Sequence, residues 1–239
     1  MANGLRSGLE KYLKETRRPI YSAALVLPFF LIYHTGTFFF RSTYINGADA
    51  LIVRVLSALS VHSMFASALV LLACFVIWQW RTRASWEISS RKLLLLFGES
   101  LFFAVLMFVI FANMPLLFSR GVVSRSVPTG LEKLILYCGA GIYEELVFRG
   151  FLVSALVLAA TRLFRLNRTA AAVWSSVAAA LLFSLFHYLG PAGDRFSLAS
   201  FLQRAWGGLY FSILFVTRGF GVTAAAHAFY DMLVGLFSL

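Results

Sequence analysis

Several continuous apolar runs dominate the sequence, and most of them are long enough to cross a lipid bilayer. Of the 239 residues, 60% are hydrophobic and only 13% are charged, which is a far more apolar balance than that of a soluble domain. A helix of about 20 apolar residues spans the ~30 Å hydrocarbon layer, whereas a transmembrane β-barrel needs short segments of alternating polarity. The sequence therefore predicts an all-α polytopic transmembrane helical bundle, a single integral membrane domain over residues 1–239.

The apolar runs predict seven or eight membrane spans. They cover residues 20–40, 61–80, 93–118, 131–164, 170–189, 196–216 and 222–239. The fourth run contains no proline, and as a straight helix its roughly 34 residues would extend about 51 Å. It is therefore either one span that tilts or begins along the surface, or two spans broken at a glycine.

Basic residues cluster between the apolar runs and give the chain a net charge of +11. They concentrate in residues 1–19, 81–92 and 162–168. Arg and Lys at span ends mark the cytoplasmic side and contact lipid head groups, so membrane lipids rather than nucleic acid are the expected partners. With seven crossings the three segments fall on one side, which predicts a cytoplasmic N-terminus. The basic N-terminus and small loops favour a bacterial inner membrane.

An acid pair and an arginine interrupt the fourth run, where ionisable residues indicate a functional site. Glu145 and Arg149 are four residues apart, so they share a helix face and can pair. Glu144 is turned about 100° away and shares its face with Phe148. Two adjacent carboxylates in a low dielectric do not both ionise cheaply. Glu145 is therefore expected to stay charged beside its arginine, leaving Glu144 to act as a general base or acid.

Two later spans carry histidines that complete a hydrolytic set. His187 ends the span of residues 170–189, with Phe183 one turn before it, and His227 lies four residues before Asp231. A carboxylate and a histidine can deprotonate a water molecule, and a second histidine can stabilise the oxyanion formed when that water attacks a carbonyl. The pattern predicts a hydrolase that acts on an amide or ester bond inside the membrane.

Three motifs together resemble the CPBP family, which contains CAAX prenyl endopeptidases and bacteriocin-processing or bacteriocin-immunity proteins and is also called the Abi family. The motifs are Glu144-Glu145-x-x-x-Arg149, Phe183-x-x-x-His187 and His227-x-x-x-Asp231. The resemblance covers residues 130–239 and implies a CPBP-like catalytic region there. It implies a glutamate-dependent intramembrane endopeptidase acting on a membrane-anchored or exported protein or peptide.

The resemblance also implies a role for each motif residue. Glu144 would activate water together with His187, while Glu145 and Arg149 would be structural. His227 and the residue four positions later would form the oxyanion site. That later position is often asparagine in CAAX endopeptidases, and because an ionised Asp231 cannot donate a hydrogen bond, we expect it to orient His227 instead. Candidate substrate contacts are Phe148, Phe183, Gln203 and Arg204.

Several alternatives stay open at this level. No cofactor or metal is assigned, although Glu144, His187 and His227 form a set that can hold zinc without the usual HExxH pattern. The same polar groups would also serve a proton-coupled transporter, a non-catalytic membrane scaffold or an immunity protein. Counting along the helices places Glu144 about 27 Å and His187 about 26 Å from the basic loops, but His227 only about 10 Å from Gly219. The catalytic interpretation therefore requires a shifted span boundary or a broken helix.

Overall fold

All regular secondary structure is helical in the parts that the computed structural model describes, namely residues 2–40, 45–63, 65–113, 130–190 and 193–237. No strand occurs within these ranges, so the predicted all-α class is confirmed. Residues 114–118 of the third predicted span and residues 238–239 of the last span lie outside the described residues.

Ten α-helices and two π-helical segments make up the described fold. They are α1 (Ala2–Thr16), α2 (Pro19–Phe39), α3 (Gly47–Ala58), α4 (Ala66–Thr82), α5 (Ser90–Ala112), α6 (Gly130–Gly139), the π-helical segments π1 (Ala140–Glu144) and π2 (Leu146–Val153), α7 (Ser154–Arg162), α8 (Arg168–Phe186), α9 (Leu198–Arg218) and α10 (Phe220–Phe237).

Four of the described helices, α2, α5, α8 and α10, are long and apolar enough to cross a membrane. Helix α4 is also apolar but has only 17 residues. These features make the protein an integral membrane protein. The predicted total of seven or eight crossings exceeds these four and stays a prediction. Helix α9 carries two arginines, and the long run of residues 131–164 is divided by its π-helical segments.

The run that carries the acid pair is one continuous helical path from α6 through π1 and π2 to α7. Its centre is wound with the wider i→i+5 hydrogen bonding of a π-helix, which is rare and occurs frequently at functional sites. Glu144 ends π1, and Glu145 stands between the two π segments. The acid pair therefore lies where the helix departs from regular α geometry.

Helix α10 lies at the centre of the bundle. Its first nine residues, from Phe220 to Ala228, are all buried, whereas a surface helix buries only one face. Small side chains allow this close packing. A Cβ atom added to Gly141 would lie 2.6 Å from the carbonyl oxygen of Ala224, so π1 and α10 are in backbone contact. This contact brings Glu144 beside the histidine of α10.

A polar cluster joins α1, α5 and the end of α9. Arg218, which is 7% exposed, donates from Nη2 to Oε2 of Glu99 at 2.7 Å and also pairs with the other oxygen of that carboxylate. Tyr12 donates to Glu99 at 3.0 Å, and burial, followed by the charge of Glu99, raises the pKa of Tyr12 to about 12. The junction between α9 and α10 is thus anchored inside a polar cluster.

Candidate functional site

The four predicted catalytic residues line one cavity of about 350 Å³. Glu144 reaches it from π1, His187 from the residue after α8, and His227 and Asp231 from α10. The remaining lining residues are Met107, Phe111, Phe183, Ser200, Gln203, Arg204, Gly207, Phe211, Tyr230 and Val234. Residues distant in sequence thus surround one space, with polar side chains from π1, the end of α8, α9 and α10 and apolar side chains from α5, α8, α9 and α10.

The two oxygens of Glu144 have different surroundings. Oε1 accepts a hydrogen bond from Nδ2 of Asn46 at 2.9 Å. Oε2 lies 4.0 Å from Nε2 of His227, which is too long for a direct hydrogen bond. Glu144 is only 8% exposed. One oxygen is therefore held by an amide, while the other faces a second polar side chain of the cavity.

Glu145 and Arg149 form a fully buried ion pair behind the cavity. Nη1 of Arg149 donates to Oε1 of Glu145 at 2.8 Å, and Nη2 donates to the carbonyl oxygen of Gly208 at 2.8 Å. The guanidinium carbon also lies 4.7 Å from the ring centre of Phe183 and 5.7 Å from that of Phe211. The pair therefore ties the acid-bearing helix to α8 and α9.

His227 is oriented by Glu145. Its Nδ1 lies 2.7 Å from Oε1 of Glu145, and because that ionised carboxylate only accepts, Nδ1 carries the proton of this hydrogen bond. The ring stacks on Phe211 with centroids 4.4 Å apart. Asp231, which the sequence suggested as the orienting residue, lies 3.6 Å from the other ring nitrogen, Nε2. Nε2 thus faces the carboxylates of Asp231 and Glu144.

The tautomer of His187 follows from its backbone contact. Nδ1 lies 2.9 Å from the carbonyl oxygen of Phe183. A carbonyl can only accept, so Nδ1 is the donor. In the neutral ring, Nε2 then keeps its lone pair and can accept a proton. The Phe183 ring lies edge-on to His187, with centroids 4.9 Å apart, and fixes its plane.

The candidate substrate contacts separate into two groups. Phe183, Gln203 and Arg204 line the cavity, whereas Phe148 is not among its lining residues. Phe148 instead packs edge-on against Phe183, with centroids 5.2 Å apart. Arg204 donates to Asp194 at 2.5 Å through Nη2, while its buried Nη1 has no hydrogen-bond partner among the described residues. Arg204 therefore keeps a donor available.

A metal site was the alternative use of Glu144, His187 and His227. Within the described ranges, no group of three or more His, Cys, Asp or Glu side chains is arranged to hold a metal ion. Nδ1 of both histidines is hydrogen-bonded to an oxygen, which is a contact that metal-binding histidines also make, and it leaves Nε2 of each ring toward the cavity. The zinc alternative stays a prediction, and no step is assigned to a metal.

Asn46 and Glu145 contribute contacts that sequence reasoning did not find. Asn46 lies in a polar loop before α3, and nothing in its local pattern relates it to Glu144, which comes 98 residues later. Glu145 lies 82 residues from His227 in the sequence, whereas Asp231 lies only four residues from His227. Helical periodicity finds partners on one helix, but it gives no signal for partners on different helices.

Comparison with known proteins gives one match. Residues 128–233 match the family model described as type II CAAX prenyl endopeptidase Rce1-like. The match confirms the resemblance to the CPBP family that the three motifs predicted. Neither a curated protein nor a solved structure was found to be significantly similar to the chain.

Proposed function

We propose that this protein is an intramembrane endopeptidase, because residues 128–233 match a family model of type II CAAX prenyl endopeptidases. It hydrolyses a peptide bond of a membrane-associated or exported protein or peptide. One observation carries the proposal: Glu144, His187 and His227 reach the same cavity from three different helical elements. A hydrolase needs its base and its oxyanion donor around one point in this way.

Glu144 and His187 activate the attacking water. Oε1 of Glu144 is engaged by Asn46, which leaves Oε2 to take a proton. Nε2 of His187 has a lone pair because Nδ1 donates to the carbonyl of Phe183. A water between these two acceptors would be oriented by both and lose its proton to the carboxylate as it attacks the carbonyl carbon. The protonated Glu144 then returns the proton to the leaving amine.

His227 stabilises the oxyanion. With Nδ1 held by Glu145, a protonated Nε2 is the ring's remaining donor. The carboxylates of Asp231 and Glu144, at 3.6 and 4.0 Å from Nε2, favour positive charge on the ring by Coulomb attraction. A preorganised charged donor on a buried side chain lowers the energy of the tetrahedral intermediate strongly. Asp231 thus supports the charge of His227 without donating to the oxyanion itself.

The membrane arrangement is part of the proposal. Seven crossings are favoured over eight because residues 130–162 form one continuous helical path. The two basic N-proximal segments lie together, since Lys92 pairs with Glu15 and Arg18 donates to the carbonyls of Ser85 and Glu87. A shared basic end supports a cytoplasmic N-terminus by the positive-inside rule. We assign the protein to a bacterial inner membrane.

The experiment that tests the proposal compares protein termini in membrane and secreted fractions of cells that express either the wild type or Glu144→Gln at matched levels. New termini that require Glu144 would establish proteolysis and identify the substrate. If Glu144→Gln abolishes the cellular phenotype of the protein without changing any terminus, the endopeptidase proposal is wrong, and a proton-relay function takes its place.

A further inference from the structure

The loop before α3 supplies a polar group to the site from outside the region that matches the protease family. Asn46 donates from Nδ2 to Oε1 of Glu144 at 2.9 Å, whereas the family match begins at residue 128. We propose that Asn46 is a positioning residue, which holds one oxygen of Glu144 so that the other faces the cavity. The inference rests on the proposed function, in which Glu144 is the general base.

The N-terminus of α3 fixes which way the Asn46 amide points. Its Oδ1 accepts from the backbone N–H groups of Ala48, at 2.9 Å, and Asp49, at 3.4 Å. Those two groups can only donate, so the oxygen of the Asn46 amide has to point toward the start of α3. The NH₂ group is then the part of the amide that remains for Glu144. Capping the helix therefore orients the donor toward the carboxylate.

Asn46 is itself held in place by buried groups. Its backbone N–H donates to the hydroxyl oxygen of Tyr33 at 3.2 Å, and that hydroxyl donates to Oδ2 of Asp49 at 2.5 Å. Tyr33 is 0% exposed and Asp49 is 5% exposed. A Cβ atom on Gly139 would lie 2.3 Å from the Tyr33 ring, so the ring is in close contact with the residue that precedes π1. The network thus locks α2, α3 and π1 at one separation, which fixes the distance from Asn46 to Glu144.

A neutral amide suits this position because the surroundings of Glu144 already carry many charges. Several charged and titratable groups lie on its own helical path and on the elements packed against it. They are Glu145, Arg149 and Tyr143 on that path, Tyr33 and His34 on α2, Asp49 on α3, His187 after α8, Arg204 on α9, and His227, Tyr230 and Asp231 on α10. A hydrogen bond to a carboxylate favours the ionised form, and Asn46 provides one without altering the net charge. Its loss would remove the hydrogen bond that holds Oε1 of Glu144.

Two substitutions separate this role from helix capping. Asn46→Asp keeps an oxygen that caps α3, since aspartate and asparagine cap equally well, but it removes the donor and places a negative charge against Glu144. Asn46→Ser also keeps a capping oxygen, while its shorter side chain cannot span to Glu144. Asn167 provides the matched control, because it caps α8 through a bond to the N–H of Ala170 and is exposed. Asn167→Asp makes the same chemical change away from the cavity.

The first measurement needs no substrate. A hydrophobic carbodiimide modifies protonated carboxyl groups, and mass spectrometry of the detergent-solubilised protein measures how much Glu144 is labelled. The labelling falls as pH rises through the pKa of that carboxyl. We expect the midpoint to move to higher pH by about one unit or more in Asn46→Asp, because like charges repel, and by less in Asn46→Ser. Asn167→Asp should leave the midpoint unchanged. An unchanged midpoint in Asn46→Ser would overturn the proposal, because that variant removes the hydrogen bond without adding a charge.

The second measurement uses the substrate identified by the comparison of termini. Both Asn46 variants should lower kcat about tenfold or more with little change in KM, and the acidic limb of the pH–rate profile should move upward with the labelling midpoint. If Asn46 only caps α3, Asn46→Ser, which keeps a capping oxygen and adds no charge, will match the wild type in both measurements. A shifted midpoint in Asn46→Ser without any Glu144-dependent cleavage would support the role of Asn46 while overturning the proposed proteolysis. If the Asn46 variants cleave the substrate normally and their midpoint is unshifted, the role of Asn46 is wrong while the proposed proteolysis stands.

Discussion

His227 and Arg149 bind the same oxygen of Glu145. Oε1 lies 2.7 Å from Nδ1 of His227 and 2.8 Å from Nη1 of Arg149. One donor comes from α10 and the other from π2, so a single carboxylate with no exposed surface joins the candidate oxyanion residue to the buried arginine. Glu145 therefore does more than balance a charge, because the orientation of His227 depends on it.

This arrangement predicts strong coupling between Glu145 and Arg149 in stability. Arg149→Met should lower the free energy of unfolding by about 3–5 kcal/mol, because it leaves the Glu145 carboxylate buried without its cation. Adding Glu145→Gln removes the uncompensated charge, so the double variant should be more stable than Arg149→Met alone. Denaturant unfolding in detergent micelles measures both effects.

The control for these stability measurements is Arg81→Met, which removes an exposed arginine at the end of α4. It should change the free energy of unfolding by no more than about 0.5 kcal/mol. If the effects of Glu145→Gln and Arg149→Met add to within about 0.5 kcal/mol, the two residues do not act as a pair, contrary to their geometry.

The sequence predicted contacts within a helix better than contacts between helices. The pairing of Glu145 with Arg149 is expected from a spacing of four residues on one helix. The same rule suggested Asp231 as the residue that orients His227, yet Glu145 fills that role. The ring of His227 stacks on Phe211 at 4.4 Å, so packing between α9 and α10 sets its orientation, and a one-dimensional pattern does not contain that information.

Depth along the bundle was also difficult to predict from sequence. Counting residues along the helices places Glu144 about 27 Å from the end of α7 but His227 only about 10 Å from Gly219, a difference of about 17 Å. Both residues nevertheless line one cavity. For helices that run side by side, the α9–α10 junction must therefore lie deeper than the end of α7. Burial of Arg218 against Glu99 and Thr16 gives the physical reason, since these polar groups satisfy one another inside the bundle.

Glu144→Gln is expected to reduce the rate of peptide cleavage by a factor of about 10²–10⁴, which is the usual contribution of a general base. The amide keeps the shape of the side chain but cannot take the proton. The purified protein should show the loss in kcat with an unchanged unfolding temperature. Glu87→Gln, the same change at an exposed loop residue, should retain full activity. Equal activity of the two variants would remove Glu144 from the reaction.

Gly141→Ala tests the backbone contact that places π1 against α10. The added methyl would lie 2.6 Å from the carbonyl oxygen of Ala224 and 2.7 Å from the backbone nitrogen of Ala228. Neither atom can move without shifting α10, so we expect a loss of about 1–3 kcal/mol in stability and a fall in activity as Glu144 moves away from His227. Gly98→Ala on α5 has no atom within 4 Å of the new methyl and should be slightly stabilising, since alanine favours a helix. Equal stability of the two variants would contradict the close contact.

Removal of metal ions distinguishes the proposed mechanism from the zinc alternative. The arrangement of Glu144, His187 and His227 predicts that protein treated with a strong chelator retains its activity and carries no stoichiometric zinc by elemental analysis. Loss of activity that zinc alone restores would show that these side chains rearrange into a metal site. A control with the chelator already saturated by zinc separates metal removal from any direct effect of the chelator.

Arg204 and Asp194 provide a test of substrate binding at the cavity. Arg204 lines the cavity and pairs with Asp194 at 2.5 Å, yet it retains an unpartnered buried Nη1, so a substrate carboxylate or backbone carbonyl would compete with Asp194 for the guanidinium. Arg204→Gln should therefore raise KM about tenfold with a smaller change in kcat, whereas Asp194→Asn should leave KM unchanged or lower it. Arg195→Gln, the same change at the neighbouring exposed residue, serves as the control. A parallel rise of KM in Arg204→Gln and Asp194→Asn would instead assign the pair a structural role, because competition for the guanidinium requires the two substitutions to act in opposite directions.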